Sequence, residues 1–352
     1  MSRLALQAFG LEEQMVKLTP YGSGLINHTW KVEMPGRSFI LQKINTSVFP
    51  RPALITSNIR KISDYLKQYH PGYTFVAPLT TDDGHDTYED NTGCYRLFPF
   101  VNDSHTVDVV QDAGQAGKAA AQFGTFTSLF TNFDSSTLEI TIPCFHDLSE
   151  RYKQFELSLA EGNRRRVLEA SHMVKRLLQL SSIVEEYKLI ESNKAFRKRV
   201  THHDTKISNV LFNKVGDAIC VIDLDTIMPG YFFSDVGDMM RTYLSPVSEE
   251  EQDESKICIR DNFYRAIVSG YYNVMKMELT DTEKDYFFYA GKFIIYMQAI
   301  RFLTDYFNND RYYGAKYPEH NLNRAKNQLT LLERYLEKEE QLNRIGAEII
   351  GK

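Results

Sequence analysis

Long apolar runs are missing from this chain of 352 residues. A membrane-spanning helix needs about 18 consecutive apolar residues, and with none present nothing in the sequence calls for a bilayer. The opening MSRLALQAFGLEEQ has neither the apolar core nor the cleavage site of a signal peptide, so a cytoplasmic location is the expectation. Cysteine is scarce. Cys94, Cys144, Cys220 and Cys258 are scattered, three of them in apolar contexts, which favours reduced, buried thiols over disulfides or a metal site. Trp30 is the only tryptophan, too little for the aromatic cage a quaternary ammonium ligand calls for. An excess of one charge is lacking too: 41 basic against 46 acidic side chains leave −5, and the one dense basic cluster, Arg164-Arg165-Arg166, reads as a solvated helix start, not a nucleic-acid footprint. Repeats and low-complexity tracts are absent, no feature sets an oligomeric state, and hydrophobic residues at 43% can fill two cores at this length.

What is present concentrates in Thr201 to Thr226, THHDTKISNVLFNKVGDAICVIDLDT. His202, Asp204 and Asn209 fit H-x-D-x-x-x-x-N, the catalytic-loop spacing of metal-dependent phosphoryl transfer, in which Asp accepts or orients the hydroxyl proton and Asn binds magnesium. A polyphosphate needs its charge neutralised by metal, while the attacking hydroxyl needs a separate base. Four residues between Asp204 and Asn209 let one loop curl to serve both. Lys206 could reach the γ-phosphate as a point charge. The β-prone Asn209-Val210-Leu211-Phe212 and Cys220-Val221-Ile222 flank turn residues Lys214 to Asp217, which predicts a hairpin. Asp223 follows as a second metal-binding carboxylate, and Asp225, two residues on, emerges on the same face if the strand continues. Such carboxylates repel unless a cation lies between them. His202 and His203 as zinc ligands are disfavoured, because adjacent histidines point apart and no Cys or His pair accompanies them. Packed, hydrogen-bonded imidazoles are the simpler reading.

A strand-rich nucleotide lobe should precede this loop. Gly22 and Gly24 in Tyr21 to Trp30 would let backbone approach phosphate before a β-prone run, although two glycines before a strand also make a plain hairpin turn. RSFILQKIN, Arg37 to Asn45, reads as a second strand, with Lys43 the candidate phosphate lysine and Gln42 the alternative, since a one-residue shift in register exchanges them. Ala53 to Tyr69 has a helical stripe of Leu54, Ile55, Ile59, Ile62 and Leu66 but no acidic residue in its first part, leaving Asp64 or another segment to pair with the lysine. Cys94 to Val101 reads as a last strand running into an adenine-binding hinge, with Phe98 and Phe100 as nucleotide contacts.

Beyond Val101 the pattern turns helical: Gln111 to Leu129, Arg164 to Tyr187, Ser255 to Met277, Asp285 to Phe307, and a charged Asn321 to Ile350 striped with leucine and isoleucine. The division is therefore expected near residue 102, with residues 1–101 a nucleotide-binding lobe and 102–352 a helical lobe carrying the catalytic loop and substrate site. Asp235 is expected to brace the catalytic-loop backbone, and Arg241 to pair with Asp238 one turn away.

GSGLINHTW (22 to 30), ILQKIN (40 to 45), IPCFHDLSERY (142 to 152), HHDTKISNV (202 to 210), VIDLDTIMPG (221 to 230), SDVGDMMRT (234 to 242) and RFLTDYF (301 to 307) together resemble the aminoglycoside phosphotransferase and choline kinase superfamily, and within it the N-acetylhexosamine 1-kinases. The resemblance implies an α+β, protein-kinase-like fold with a small β-rich N-terminal lobe and a larger helical C-terminal lobe. It implies ATP and Mg2+ as cofactors and transfer of the γ-phosphate to the anomeric hydroxyl of N-acetylglucosamine or N-acetylgalactosamine. Carried over by motif, Asp204 is the base, Asn209 and Asp223 are magnesium ligands, and Asp225 is a further carboxylate near metal or sugar; Arg301, Tyr306 and Tyr312 are sugar-site candidates. Two departures stand out: His203 where relatives carry Asn, and Ser57 where the helix glutamate is expected. A kinase of another alcohol (aminoglycoside, choline or other sugar) and a non-catalytic nucleotide-binding relative are the alternatives, and the intact Asp204, Asn209 and Asp223 argue against the second. A sulfatase is excluded by the absence of C-x-P-x-R.

Overall fold

A computed structural model describes residues 3–12, 16–22 and 26–352. The chain forms an α+β, kinase-like two-lobed fold whose strands fall mainly in the N-terminal part and whose long helices follow. Its compact units interleave along the sequence. The first contains residues 1–108, 132–143 and 208–229, the second residues 109–131, 144–207 and 230–352. A single division was expected near residue 102; the compact units instead take Asn209, Asp223 and Asp225 into the first and Asp204 and Lys206 into the second.

In the first unit, β1 (Lys17–Pro20), β2 (His28–Met34), β3 (Arg37–Ile44), β4 (Tyr88–Asp90) and β5 (Gly93–Pro99) form an antiparallel sheet in the order β1-β2-β3-β5-β4. Side chains alternate across a strand. Phe39 and Leu41 of β3, Val32 of β2, and Tyr95 and Leu97 of β5 therefore pack on one face, where Ala5, Leu6, Phe9 and Leu11 complete a small core. Lys43 falls on this face and Gln42 on the other, paired in register with Arg96. The helix Pro52–Tyr69 begins with proline at its first position, where a missing N–H does no harm, and buries Ile55, Ile59, Ile62 and Leu66. Val210–Asn213 and Ala218–Val221 form the expected hairpin, with a bulge between Leu211 and Phe212.

The second unit is built around Phe287–Phe307, a helix of 21 residues whose side chains are buried on almost every side. A helix apolar all round belongs inside a bundle. It packs against the helices Leu148–Glu161, Phe232–Tyr243 and His320–Glu337. Two segments read as single helices are broken. Arg164 to Tyr187 divides into Arg164–Glu169, Ser171–Gln179 and Ser182–Ser192, and the C-terminal stripe divides at Lys338 into His320–Glu337 and Glu339–Ile350. All four cysteines are free; Cys94 and Cys220 are buried, while Cys258 is exposed, contrary to a buried thiol there. Among the described residues no helix is long and apolar enough to cross a membrane.

Candidate active site

The second unit holds Asp204 from beneath. His203, just before it, has a left-handed backbone (φ 67°) that a residue bearing a Cβ disfavours. Asp235, buried in the first turn of Phe232–Tyr243, fixes that conformation: its carboxylate accepts the backbone N–H of His202 at 3.1 Å and of His203 at 2.7 Å. Next to it, Asp238 accepts the N–H of Thr205 at 2.8 Å, and the Tyr243 hydroxyl donates to the Thr205 carbonyl at 2.5 Å. Arg241 binds Asp238 at 3.0 Å and Glu249 at 2.7 Å, and Arg324 also binds Glu249. Burial alone would push the Glu249 carboxyl up, yet the two guanidiniums hold it down to about 2. For Asp235 burial prevails over its two N–H donors, with Asp238 and Asp204 adding to it, and the carboxyl is pushed up to about 7.

Asp204 itself is partly exposed and lies 3.4 Å from the Lys206 ammonium, which is half exposed. Burial raises the Asp204 carboxyl, but Lys206, with His202 and Arg241, outweighs it and keeps the group below its ordinary value. The group is a carboxylate at neutral pH, as a base must be. His202 is fully buried, its ring edge-on to Phe123 at 5.2 Å. Among the described residues no group of three or more His, Cys, Asp or Glu side chains could hold a metal ion.

From His203, the residue before Asp204, a chain of side-chain contacts leads to Arg301. His203 meets His146 edge-on at 5.3 Å, both imidazole Nδ1 atoms share the Ser234 hydroxyl (2.7 and 2.6 Å), and His146 stacks on Phe145 at 4.4 Å. The Arg301 guanidinium then lies 5.2 Å from the Phe145 ring, 5.6 Å from Tyr313 and 6.0 Å from Tyr312. Burial, with His203, Arg301, Arg151 and Arg241 nearby, holds His146 well below its ordinary value, so the imidazole is neutral. Arg301 is 8% exposed and donates to Gln298 at 3.2 Å. Arg301 and Tyr312 are thus brought together, and Tyr313 with them. Tyr306 is not: its ring is buried under the Arg166 guanidinium at 4.4 Å and its hydroxyl donates to Glu169 at 2.7 Å, because it projects from another face of the same helix. Its assignment to the sugar site is corrected accordingly.

The first unit joins Asn209 to Asp223 through the hairpin, where the Ile222 N–H donates to the Asn209 carbonyl at 2.9 Å. Asp223 is exposed and left-handed (φ 60°), whereas Asp225 is buried at 2% exposure. Expected on one face, the two carboxylates differ because the chain leaves the strand for a tight turn, Leu224–Thr226, directly after Asp223. Asp225 pairs with Arg96 at 2.5 Å and accepts from Asn27 at 2.8 Å. Oxygen donors suit magnesium, so the exposed Asp223 carboxylate and the buried Asn209 amide fit the ion by donor type; Asp225 is already neutralised by protein.

Lys43 requires correction as the phosphate lysine. It lies on the sheet face opposite Arg96 and Asp225, against Gly93, where a Cβ would come within 2.5 Å of its Cε. Phe98 shares the Arg96 face, 5.1 Å from the guanidinium, and Phe100 packs edge-on against Tyr21 at 5.9 Å and under Lys31 at 4.6 Å. Gly22 is left-handed (φ 78°) with open space around it, and Gly24 lies outside the described residues. Arg96, His146 and Ser234 were missed as site residues. Arg96 alone carried a signal: a charge within an apolar run read as a strand needs a buried partner.

A family model described as "Phosphotransferase enzyme family" matches residues 17–257, more than half of the chain. An aminoglycoside phosphotransferase from Alicyclobacillus acidocaldarius superposes with a TM-score of 0.62 at 13% identity, covering 99% of this chain and 97% of its own. A microcompartment-associated aminopropanol kinase gives 0.62 at 15% identity, covering 97% of each chain. A spectinomycin phosphotransferase in complex with ADP and spectinomycin gives 0.53 at 14% identity, covering 98% of this chain and 96% of its own. At these identities the structural likeness establishes the fold.

Proposed function

We infer that this chain, which belongs to the phosphotransferase enzyme family, is an ATP-dependent kinase that phosphorylates the anomeric hydroxyl of an N-acetylhexosamine. The coarser statement, a phosphotransferase acting on the alcohol group of a small molecule, is what the family does. The finer one is supported by the chain of contacts His203, His146, Phe145, Arg301, which begins at the residue before Asp204 and ends at a buried donor flanked by aromatic rings. Aromatic faces suit the apolar face of a pyranose, and Arg301 can donate to a ring hydroxyl or to the acetamido carbonyl. ATP as the donor is supported by the spectinomycin phosphotransferase solved with ADP.

In this reading Asp204 accepts the proton of the anomeric hydroxyl as its oxygen forms the new bond to the γ-phosphorus, and the bond to the bridging oxygen of ADP breaks. Asn209 and Asp223 would hold magnesium, which neutralises polyphosphate charge when bound. Lys206 keeps Asp204 ionised and is a second candidate contact to the transferred group. A coupled ADP-release screen over free hexosamines, glucose, choline and aminoglycosides tests the reading. ADP release dependent on N-acetylglucosamine or N-acetylgalactosamine is the expected result; release with choline or an aminoglycoside alone would assign the enzyme to another alcohol.

A further inference from the structure

We propose that Arg96 is a positioning residue for the metal-binding turn, anchoring the segment just after Asp223 and keeping Asp225 out of the metal shell. This rests on Asn209 and Asp223 being the magnesium ligands. The role is the one sequence reasoning gave to Lys43, transferred to the neighbouring strand and reversed in direction: the cation holds a carboxylate of the metal loop instead of reaching from the sheet to phosphate.

Asp223 sits in a left-handed conformation that a non-glycine residue keeps only when its surroundings impose it. The constraint lies in the next turn. Asp225 is held through its side chain by Arg96 at 2.5 Å and Asn27 at 2.8 Å, and through its carbonyl by the Thr141 hydroxyl at 2.9 Å. Two residues on, the Ile227 carbonyl accepts from Asn58 at 2.9 Å. Asn58 projects from Pro52–Tyr69, the helix in which the glutamate of a lysine–glutamate pair is missing, so a neutral amide clamps the helix to the turn and the charged pair is made elsewhere.

Arg96 is itself fixed. Its Nε and one terminal nitrogen donate to the Gln42 carbonyl oxygen at 3.1 and 2.9 Å, and the Gln42 amide donates to Thr29 at 3.2 Å. The guanidinium is 1% exposed. Two charges so buried are tolerated because they face one another. The result is that one exposed carboxylate, Asp223, beside the neutral Asn209 amide meets the ion, with Asp225 masked.

The test compares Arg96→Met, the neutral double variant Arg96→Met with Asp225→Asn, and the charge-preserving Arg96→Lys. Each is measured by thermal melting, by the magnesium concentration giving half-maximal rate, and by KM for ATP and for acceptor. Arg96→Met should melt early, as an uncompensated buried Asp225 is left behind. The double variant should recover melting yet need at least about tenfold more magnesium, with KM for ATP raised and KM for acceptor unchanged. Arg96→Lys, which keeps the charge but loses the fork onto Gln42, should lie between the parent and Arg96→Met. A double variant with parental magnesium dependence would reduce Arg96 to a structural residue, and tighter magnesium binding by Arg96→Met would put Asp225 in the metal shell; either overturns the proposal. Should the double variant fail to fold, Arg96→Lys decides, since magnesium dependence as weak as that of Arg96→Met overturns the charge anchor. Unchanged magnesium dependence in Asp223→Ala would instead defeat the underlying ligand assignment.

Discussion

Gly230 lies so close to His203 that a Cβ at position 230 would stand 2.4 Å from the imidazole Cε1 and 2.9 Å from the Thr201 hydroxyl. No real Cβ tolerates the first distance. Gly230→Ala should therefore push the His203 ring off the Ser234 hydroxyl and disturb the left-handed residue preceding Asp204. A loss of about 1 to 3 kcal/mol of stability is expected from overpacking, with kcat lowered by up to about a hundredfold from misplacement of the base. Melting and steady-state rates check it. Removing the ring as well, in Gly230→Ala with His203→Ala, should recover part of the stability, and parental behaviour of the single variant would show that the loop has slack.

The Asp235 and Asp238 braces leave Asp204 little freedom, so Asp204→Asn should preserve the fold and nucleotide affinity while lowering turnover by roughly two to four orders of magnitude, the usual range for loss of a general base. Calorimetry for ATP and single-turnover rates separate the two effects. Near-normal turnover would remove Asp204 from catalysis.

Asp223→Ala should abolish magnesium-dependent ATP binding, because the exposed carboxylate next to Asn209 is lost and the buried Asp225 is already held by Arg96. Titration of ATP with and without magnesium is the measurement. Retained magnesium dependence would direct attention to other oxygen donors.

Much of this site was legible in the sequence, for local reasons. The spacing from Asp204 to Asp223 is set by a short loop and a hairpin, both of which announce themselves by turn residues and β-prone runs, and the Asp238–Arg241 pair follows from helical spacing alone. The face of a strand is a different matter. Gln42 and Lys43 exchange sides with a one-residue shift, and what decides between them is the packing of Leu41 and Tyr95 against Leu6 and Phe9, which no local pattern encodes. Tyr306 and Tyr312 were equivalent aromatic candidates until the Phe287–Phe307 helix assigned Tyr306 to Glu169 and left Tyr312 beside Arg301. Helix breaks at Ala170, Leu180 and Lys338 escaped notice because the apolar stripe runs across them.

Beneath the catalytic loop, Glu249 supplies a pH dependence of known sign. Its carboxyl is held at about 2 in the fold against an ordinary 4.5, so the stability it contributes is present above about 4.5 and is lost as pH falls from there towards 2. Glu249→Gln should melt earlier at neutral pH, by an amount equivalent to about 1 to 3 kcal/mol, and should show a shallower decline of melting temperature across that acid window. Parallel acid limbs in parent and variant would mean that other carboxylates govern acid unfolding.

The position phosphorylated distinguishes the hexosamine reading from other alcohol kinases. If the sugar lies along the chain of contacts from His203 to Arg301 with its anomeric oxygen toward the Asp204 carboxylate, a methyl glycoside has no proton there to surrender and should bind as a competitive inhibitor without turning over. Arg301 is nearly buried, and a buried donor left without its acceptor costs about 1 to 3 kcal/mol. Glucose, which lacks the acetamido carbonyl, should therefore fall below N-acetylglucosamine in kcat/KM by roughly tenfold to a hundredfold, and Arg301→Leu should narrow that gap by slowing the N-acetyl sugar. Phosphorus NMR of the product should show a glycosyl 1-phosphate. A 6-phosphate, or turnover of the blocked glycoside, would sink the anomeric assignment and leave the phosphotransferase family standing.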